Sequence, residues 1–311
     1  VNEFELIRRL AEGLPHNNSV VTGVGDDCAV LDLGVPGRLL LFKTDAVVEG
    51  IHFEGDVAPE KIGHKALARC LSDIAAMAGT PSSALVTLAL PRDHDAERVV
   101  QIYAGLKATA ARHGVAIVGG ETTTNPERLL LSIALLGTVE RGKCPLRSGA
   151  KAGDAIFVTG RLGGSLAGKH LEFEPRLAEA RWLAAHFDVH AMMDLSDGLA
   201  GDLRHILNAS HVGAELHGPT IPVSREAKQR YAAAPSTAKP PLPAALTDGE
   251  DFELVFTLAA KDAVPLKDAW RAQFPELPLT CIGKITAATG LRLRDARGIH
   301  ELHAHGYTHF A

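Results

Sequence analysis

Apolar residues recur every three or four positions between residues 59 and 77, which predicts a helix with one buried stripe of Ile62, Ala66, Cys70 and Met77. Pro59 suits its first position, where a missing N–H leaves nothing unsatisfied. One acid interrupts the stripe: Asp73 lies between Cys70 and Met77. A carboxylate on a buried face is costly unless it binds a cation, pairs with an arginine or caps a neighbouring helix. The same periodicity predicts helices over residues 2–12, with Phe4, Ile7 and Leu10 on one side, and over 94–113, 176–186 and 260–272. A further helix runs to about Ser210, with Ser196 or Asp197 as its N-cap. Apolar runs bounded by turn residues predict strands at 28–33, 38–44, 115–118, 129–139, 155–159, 189–193, 252–258, 279–285 and 290–294. The stretch Gly119–Pro126 is rich in turn formers and reads as a loop, as does Gly160–Ser165. Four prolines between residues 235 and 243 predict an exposed connection.

Helices and strands are interspersed, so the fold class is α/β or α+β. A boundary near residues 138–150 divides the chain into an N-terminal domain, 1–140, and a C-terminal domain, 141–311. A length of 311 residues suits one large domain or two ordinary ones. The formal net charge of −5 offers no general attraction to nucleic acid or to an anionic membrane. No apolar run approaches the ~20 residues of a membrane span. Cys28, Cys70, Cys144 and Cys281 are widely separated without a CxxC pair, which argues against a zinc site or a disulfide framework. The opening residues carry no signal-peptide pattern, and a cytoplasmic location is expected.

The chemistry concentrates in short acidic segments. Gly25-Asp26-Asp27 follows glycines, and Thr44-Asp45 closes an apolar strand. Leu71-Ser72-Asp73 lies on the helix stripe, and Asp194-Leu195-Ser196-Asp197 joins a strand to a helix. Each alone has a plain structural use as a turn or a cap. Brought together, such carboxylates repel unless hard divalent cations sit among them, and oxygen ligands of this kind suit Mg²⁺. His52 has two open readings, donation to a phosphate or satisfaction of a backbone carbonyl. The segment from Gly119 to Asn125 offers N–H groups and hydroxyls to an anion, but it lacks the GK[ST] of a P-loop. Gly249-Glu250-Asp251 opens another strand with two more acids.

In order, Gly25-Asp26-Asp27, Thr44-Asp45 with Glu49–Phe53, Lys65–Ala68 with Leu71–Met77, Gly119–Thr123, Arg147–Lys151, Asp194–Leu199, Gly249–Leu254 and Gly306–Phe310 resemble the thiamine-monophosphate kinases. These kinases belong to the superfamily of aminoimidazole ribonucleotide synthetase, and the resemblance covers nearly the whole chain. It implies a two-domain synthetase-like fold whose N-terminal sheet pairs across a homodimer. The implied reaction transfers the γ-phosphate of ATP to thiamine monophosphate, giving thiamine diphosphate, with several Mg²⁺ ions. Carried over, Asp27, Thr44, Asp45, Asp73, Glu121, Asp194 and Asp197 hold the metal. Tyr103, Gly120, Glu121, Arg147 and Ser196 contact ATP, and His52, Glu250 and Tyr307 contact thiamine monophosphate. The chain departs from the family pattern at Lys43, Glu121, Thr124 and Gly164. Two other readings remain: a non-catalytic paralogue that binds a phosphorylated ligand, and another ATP-using enzyme of the superfamily.

Overall fold

A computed structural model describes residues 3–303, 306 and 307. Asn2 and, in the C-terminal motif, Thr308, His309 and Phe310 lie outside the described residues. The chain forms two compact units. The first comprises Asn18–Cys144 and Gly168–Leu177; the second comprises the chain up to Asn17, Pro145–Ala167, and the chain from Ala178 onward. The second unit therefore includes the first helix, α1 (Glu3–Ala11).

The first unit contains β1 (Val20–Thr22), β2 (Ala29–Leu31), β3 (Arg38–Val48), α2 (Pro59–Ala76), β4 (Thr80–Leu90), α3 (Ala96–Arg112), β5 (Ala116–Thr124) and β6 (Leu130–Glu140). Its sheet runs β1-β2-β3-β6-β4-β5, antiparallel except for β4 with β5. Leu39, Leu41 and Val47 of β3 and Leu131, Ile133, Leu135 and Val139 of β6 are buried, as strict alternation requires. On the other face, Phe42, Leu85 and Val118 are exposed. Apolar residues on both faces remove the contrast that marks an amphipathic strand, and this is why β4 carries no clear signal in the sequence.

Two expectations fail in this unit. The segment read as a loop at Gly119–Pro126 is largely strand, since β5 continues through Thr124. The β-branched threonines suit a strand. A Cβ at Gly120 would lie 1.8 Å from the Val86 carbonyl oxygen, so glycine there allows the close approach of β4. The register skips Val118, which places a bulge at the start of the glycine pair. Likewise, Asp45 does not end its strand, because β3 runs three residues further to Val48.

The second unit contains α1, β7 (Ala155–Thr159), α4 (Leu177–His186), β8 (Val189–Asp194), α5 (Leu199–Ser210), β9 (Gly213–His217), α6 (Arg225–Ala233), α7 (Pro241–Thr247), β10 (Leu254–Leu258), α8 (Ala263–Gln273), β11 (Leu279–Thr286), β12 (Gly290–Asp295) and β13 (Gly298–Glu301). The sheet order is β13-β12-β9-β11-β7-β10-β8, with β9 and β12 parallel. Its core joins Ile156 and Val158 of β7, Met193 of β8, Val255 of β10 and Ile285 of β11 to Leu203, Ile206 and Leu207 of α5. The proline-rich connection is shorter than expected, because Pro241 opens α7. Pro241 and Pro243 fall in its first turn, where backbone N–H groups have no helical partner.

Candidate functional site

In the first unit, β3 sets the geometry by its period of two. Lys43 and Asp45 share the face of the buried Leu41 and Val47, while Thr44 is exposed on the opposite face. The Thr44 hydroxyl lies 3.4 Å from that of Ser132. Adjacent residues of a strand point apart, so the Thr44 hydroxyl and the Asp45 carboxylate lie on opposite faces of the sheet. What meets Asp45 is α2: Arg69 Nε donates to Asp45 Oδ2 at 3.0 Å and Nη2 to Oδ1 at 3.4 Å. The backbone N–H of Ala46 also donates to Oδ1, at 2.8 Å. Burial alone would raise the Asp45 carboxyl. The Arg69 and Lys43 charges and these hydrogen bonds outweigh it and hold the group below the usual carboxylate range.

Asp73, the acid that interrupts the helix stripe, is buried as the pattern predicts. Its Oδ1 lies 3.0 Å from Lys43 Nζ. Burial by itself would push the Lys43 ammonium down, but Asp73 and Asp45 outweigh it and hold the group well above the usual lysine range. Asp27 is also buried, with a carboxylate oxygen within 4.8 Å of one of Asp73. Around this layer, burial first and the Asp73 charge next push the Cys28 thiol up; burial and then Asp45 do the same to Cys70. Hard carboxylate donors fit Mg²⁺ rather than a soft metal.

His52 follows β3 in a tight turn. Its ring Nδ1 accepts from the Val48 N–H at 3.1 Å, which puts the proton of the neutral ring on Nε2. The backbone carbonyl of His52 accepts from Lys65 Nζ at 2.5 Å, and the same ammonium donates to His170 Nδ1 at 2.7 Å. Lys65 is fully buried, so it fixes the His52 turn and the 168–171 segment from inside the unit. It lies three residues after Ile62, on the edge of the buried stripe, a position that sequence reasoning passed over. Tyr103 is half-buried on α3; Gly120 and Glu121 are exposed on the edge strand β5, with Glu121 opposite Thr87.

In the second unit the acids are held differently. Asp194 ends β8, buried and opposite Leu254 of β10. The chain then turns, with the Glu250 N–H donating to the Ser196 carbonyl at 2.6 Å and the Phe252 N–H to the Leu195 carbonyl at 2.8 Å. The expected cap by Ser196 or Asp197 is not what starts α5. Gly198 is the N-cap, with a φ of 106° and no side-chain bond. Asp202 supplies the missing acceptor from within the helix: its Oδ2 accepts from the N–H groups of Asp197 and Gly198, both at 3.0 Å. Burial, and then the Asp197 and Asp194 charges, push its carboxyl up. Arg147 is half-buried in a short turn, where its carbonyl accepts from the Ser210 hydroxyl at 2.8 Å.

The acids around Glu250 also hold a neighbouring loop. Asp251 accepts from the Gly163 N–H at 2.9 Å, Asp248 accepts from the Gly164 N–H at 3.0 Å, and Glu253 accepts from the Thr159 hydroxyl at 2.8 Å. The Ser165 hydroxyl donates to the Glu250 carbonyl at 2.5 Å. The residues 160–165 thus form a clamped loop, a role of Asp248, Asp251 and Glu253 that sequence reasoning missed. Gly164 has a φ of +74°, and a Cβ there would lie 2.7 Å from the Ala227 nitrogen, so glycine is required by this packing. Glu250 and Phe252 hold left-handed backbone at φ values of 54° and 49°. Non-glycine residues persist in that region where the surroundings over-determine them, commonly at ligand clamps. The Tyr307 N–H donates to the Asp197 carbonyl at 2.9 Å, while its side chain is half exposed.

Two family models match: AIR synthase related protein, N-terminal domain, over residues 25–139, and AIR synthase related protein, C-terminal domain, over residues 151–295. The chain is 42% identical over 301 residues to the thiamine-monophosphate kinase of Rhodopirellula baltica, covering 93% of this chain and 92% of that one. It is 33% identical to the thiamine-monophosphate kinase of Bacillus subtilis over the full length of both. Among solved structures, AaThiL complexed with AMPPCP and TMP is similar at a TM-score of 0.84 and 30% identity, covering 99% of this chain and 97% of that one.

Proposed function

The chain belongs to the thiamine-monophosphate kinase family of AIR synthase related proteins, and from that premise we propose that it transfers the γ-phosphate of ATP to thiamine monophosphate, forming thiamine diphosphate. The observation that carries this reading is the match, along nearly the whole of both chains, to AaThiL complexed with AMPPCP and TMP. The acidic sets support it. Asp27, Asp45 and Asp73 of the first unit, and Asp194 and Asp197 of the second, are the carboxylates that would hold Mg²⁺. Bound Mg²⁺ supplies neutralisation of the charge that two phosphate-bearing reactants bring together. The remaining work falls to positioning. Tyr103, Gly120, Glu121, Arg147 and Ser196 would bind ATP. His52 would offer its Nε2–H to the substrate phosphate, with Glu250 and Tyr307 on the same substrate. The acceptor is a phosphate oxygen already deprotonated at neutral pH, so the mechanism needs no strong general base.

The exposed sheet face of Phe42, Leu85 and Val118 supports the homodimer, since large apolar residues on an open sheet suit a second copy of the same sheet. Use of ATP accords with a cytoplasmic location. Among the described residues no helix is long and apolar enough to cross a membrane.

The test is direct. Purified protein incubated with ATP, Mg²⁺ and thiamine monophosphate should yield ADP and thiamine diphosphate in equal amounts, resolved by chromatography. Nucleotide binding without thiamine diphosphate would favour the non-catalytic reading instead.

A further inference from the structure

The inner layer of the first unit holds three acids, Asp27, Asp45 and Asp73, and two cations, Lys43 and Arg69. Arg69 engages Asp45 through a two-pronged contact that also fixes the carboxylate plane. Lys43 is different. It occupies an inward position of β3, between the apolar Leu41 and the acidic Asp45, and forms an ion pair with Asp73 at 3.0 Å. An ammonium at that distance from Asp73 Oδ1 stands among the oxygens that would coordinate a metal ion. A divalent cation approaches such an oxygen to about 2.1 Å, and two cations crowded at one carboxylate repel strongly where water is scarce.

We propose that Lys43 is a resident cation of the acidic layer, taking the place of one divalent ion, so that this chain loads one Mg²⁺ fewer per protomer than the same site without the lysine. The inference rests on the metal-assisted reading above. The ammonium also keeps Asp73 compensated when no metal is bound.

The test compares the full chain with Lys43→Thr and Lys43→Met. Mn²⁺ binding is counted by electron paramagnetic resonance and by calorimetry, with a non-hydrolysable ATP analogue present. Lys43→Thr should bind one more Mn²⁺ per protomer than the unsubstituted chain. Without metal it should melt about 5 °C lower, because the buried Asp73 loses the ammonium beside it, and metal should restore most of that loss. Lys43→Met separates charge from packing: its side chain fills similar space, so it should show the same metal-free loss even where the cavity left by threonine is not a factor. Equal Mn²⁺ stoichiometry in all three proteins would overturn the inference while leaving the kinase reading intact. Absence of Mn²⁺ binding in all three would overturn both.

Discussion

The acids of the two units are compensated by different means. In the first unit, Asp45 and Asp73 face the side-chain cations Arg69 and Lys43. In the second, Asp202 and Asp251 accept from the backbone N–H groups of Asp197, Gly198 and Gly163. Asp248 combines both, taking the Gly164 N–H together with Arg230 at 2.5 Å and Lys239 at 3.0 Å. A side-chain cation sits on a flexible stem and can yield to another cation. A backbone N–H is fixed by the fold it helps to define. The first arrangement suits a site that exchanges ions; the second suits a scaffold that holds loops around a ligand.

The sharpest way to break this contrast is to remove the acids of the first unit. Asp45→Asn and Asp73→Asn should each lower turnover at least ~10²-fold, the scale of losing one electrostatic contact to a transition state. Both proteins should remain folded, since asparagine keeps the shape and one acceptor. Near-normal turnover in either purified variant would show that these acids serve only their internal ion pairs.

Next in size is the scaffold acid of the second unit. Asp202→Ala leaves the half-buried Asp197 N–H and the buried Gly198 N–H without their acceptor, a cost of about 1–3 kcal/mol for the buried one. Its melting temperature should fall by several degrees and turnover should fall with it. Asp202→Asn keeps an acceptor oxygen and should recover most of both. If asparagine is as damaging as alanine, the charge of Asp202 matters and its role is not that of a backbone clamp.

A smaller effect appears on acidification. A carboxyl held low in the folded state adds stability above its unfolded pKa, about 3.9 for aspartate, and loses that stability as pH falls through the lower folded value. Asp45 is such a group. Melting curves of the unsubstituted chain and of Asp45→Asn should therefore differ most near neutral pH and converge towards the acid limit. A constant gap at every pH would mean that the Asp45–Arg69 pair contributes no charge-linked stability.

The smallest expected effect on the fold concerns Tyr307, whose backbone is tied to Asp197 while its ring is half exposed. Tyr307→Ala should raise KM for thiamine monophosphate, leave KM for ATP nearly unchanged and shift the melting temperature little, since a ring face suits the cationic thiazolium. Tyr307→Phe should be mild. A large drop in melting temperature with unaltered KM would assign the ring to packing.

Local pattern alone determined much of this protein. The stripe through Ile62, Ala66 and Cys70 located α2 almost to its ends, at Pro59–Ala76, and marked Asp73 as a buried acid before any contact was known. The continuous apolar run located β7 at Ala155–Thr159, because a central strand buried on both faces needs no alternation. Where tertiary contacts outweighed local preference, the pattern misled. Gly119–Thr124 became a strand because β4 could approach a residue without a side chain. Thr44 and Asp45 parted to opposite faces because β3 continued past them, and the turn before α5 is held by Asp202 from within the helix rather than by a side chain of Ser196 or Asp197. The partners of the acids were decided by the tertiary structure alone. Lys43 meets Asp73 and Arg69 meets Asp45 between a strand and the helix that follows it, and Gly163 meets Asp251 across far more of the chain. Periodicity reports which face of an element is buried; only the packing of one element on another decides which charge or N–H stands opposite a carboxylate there.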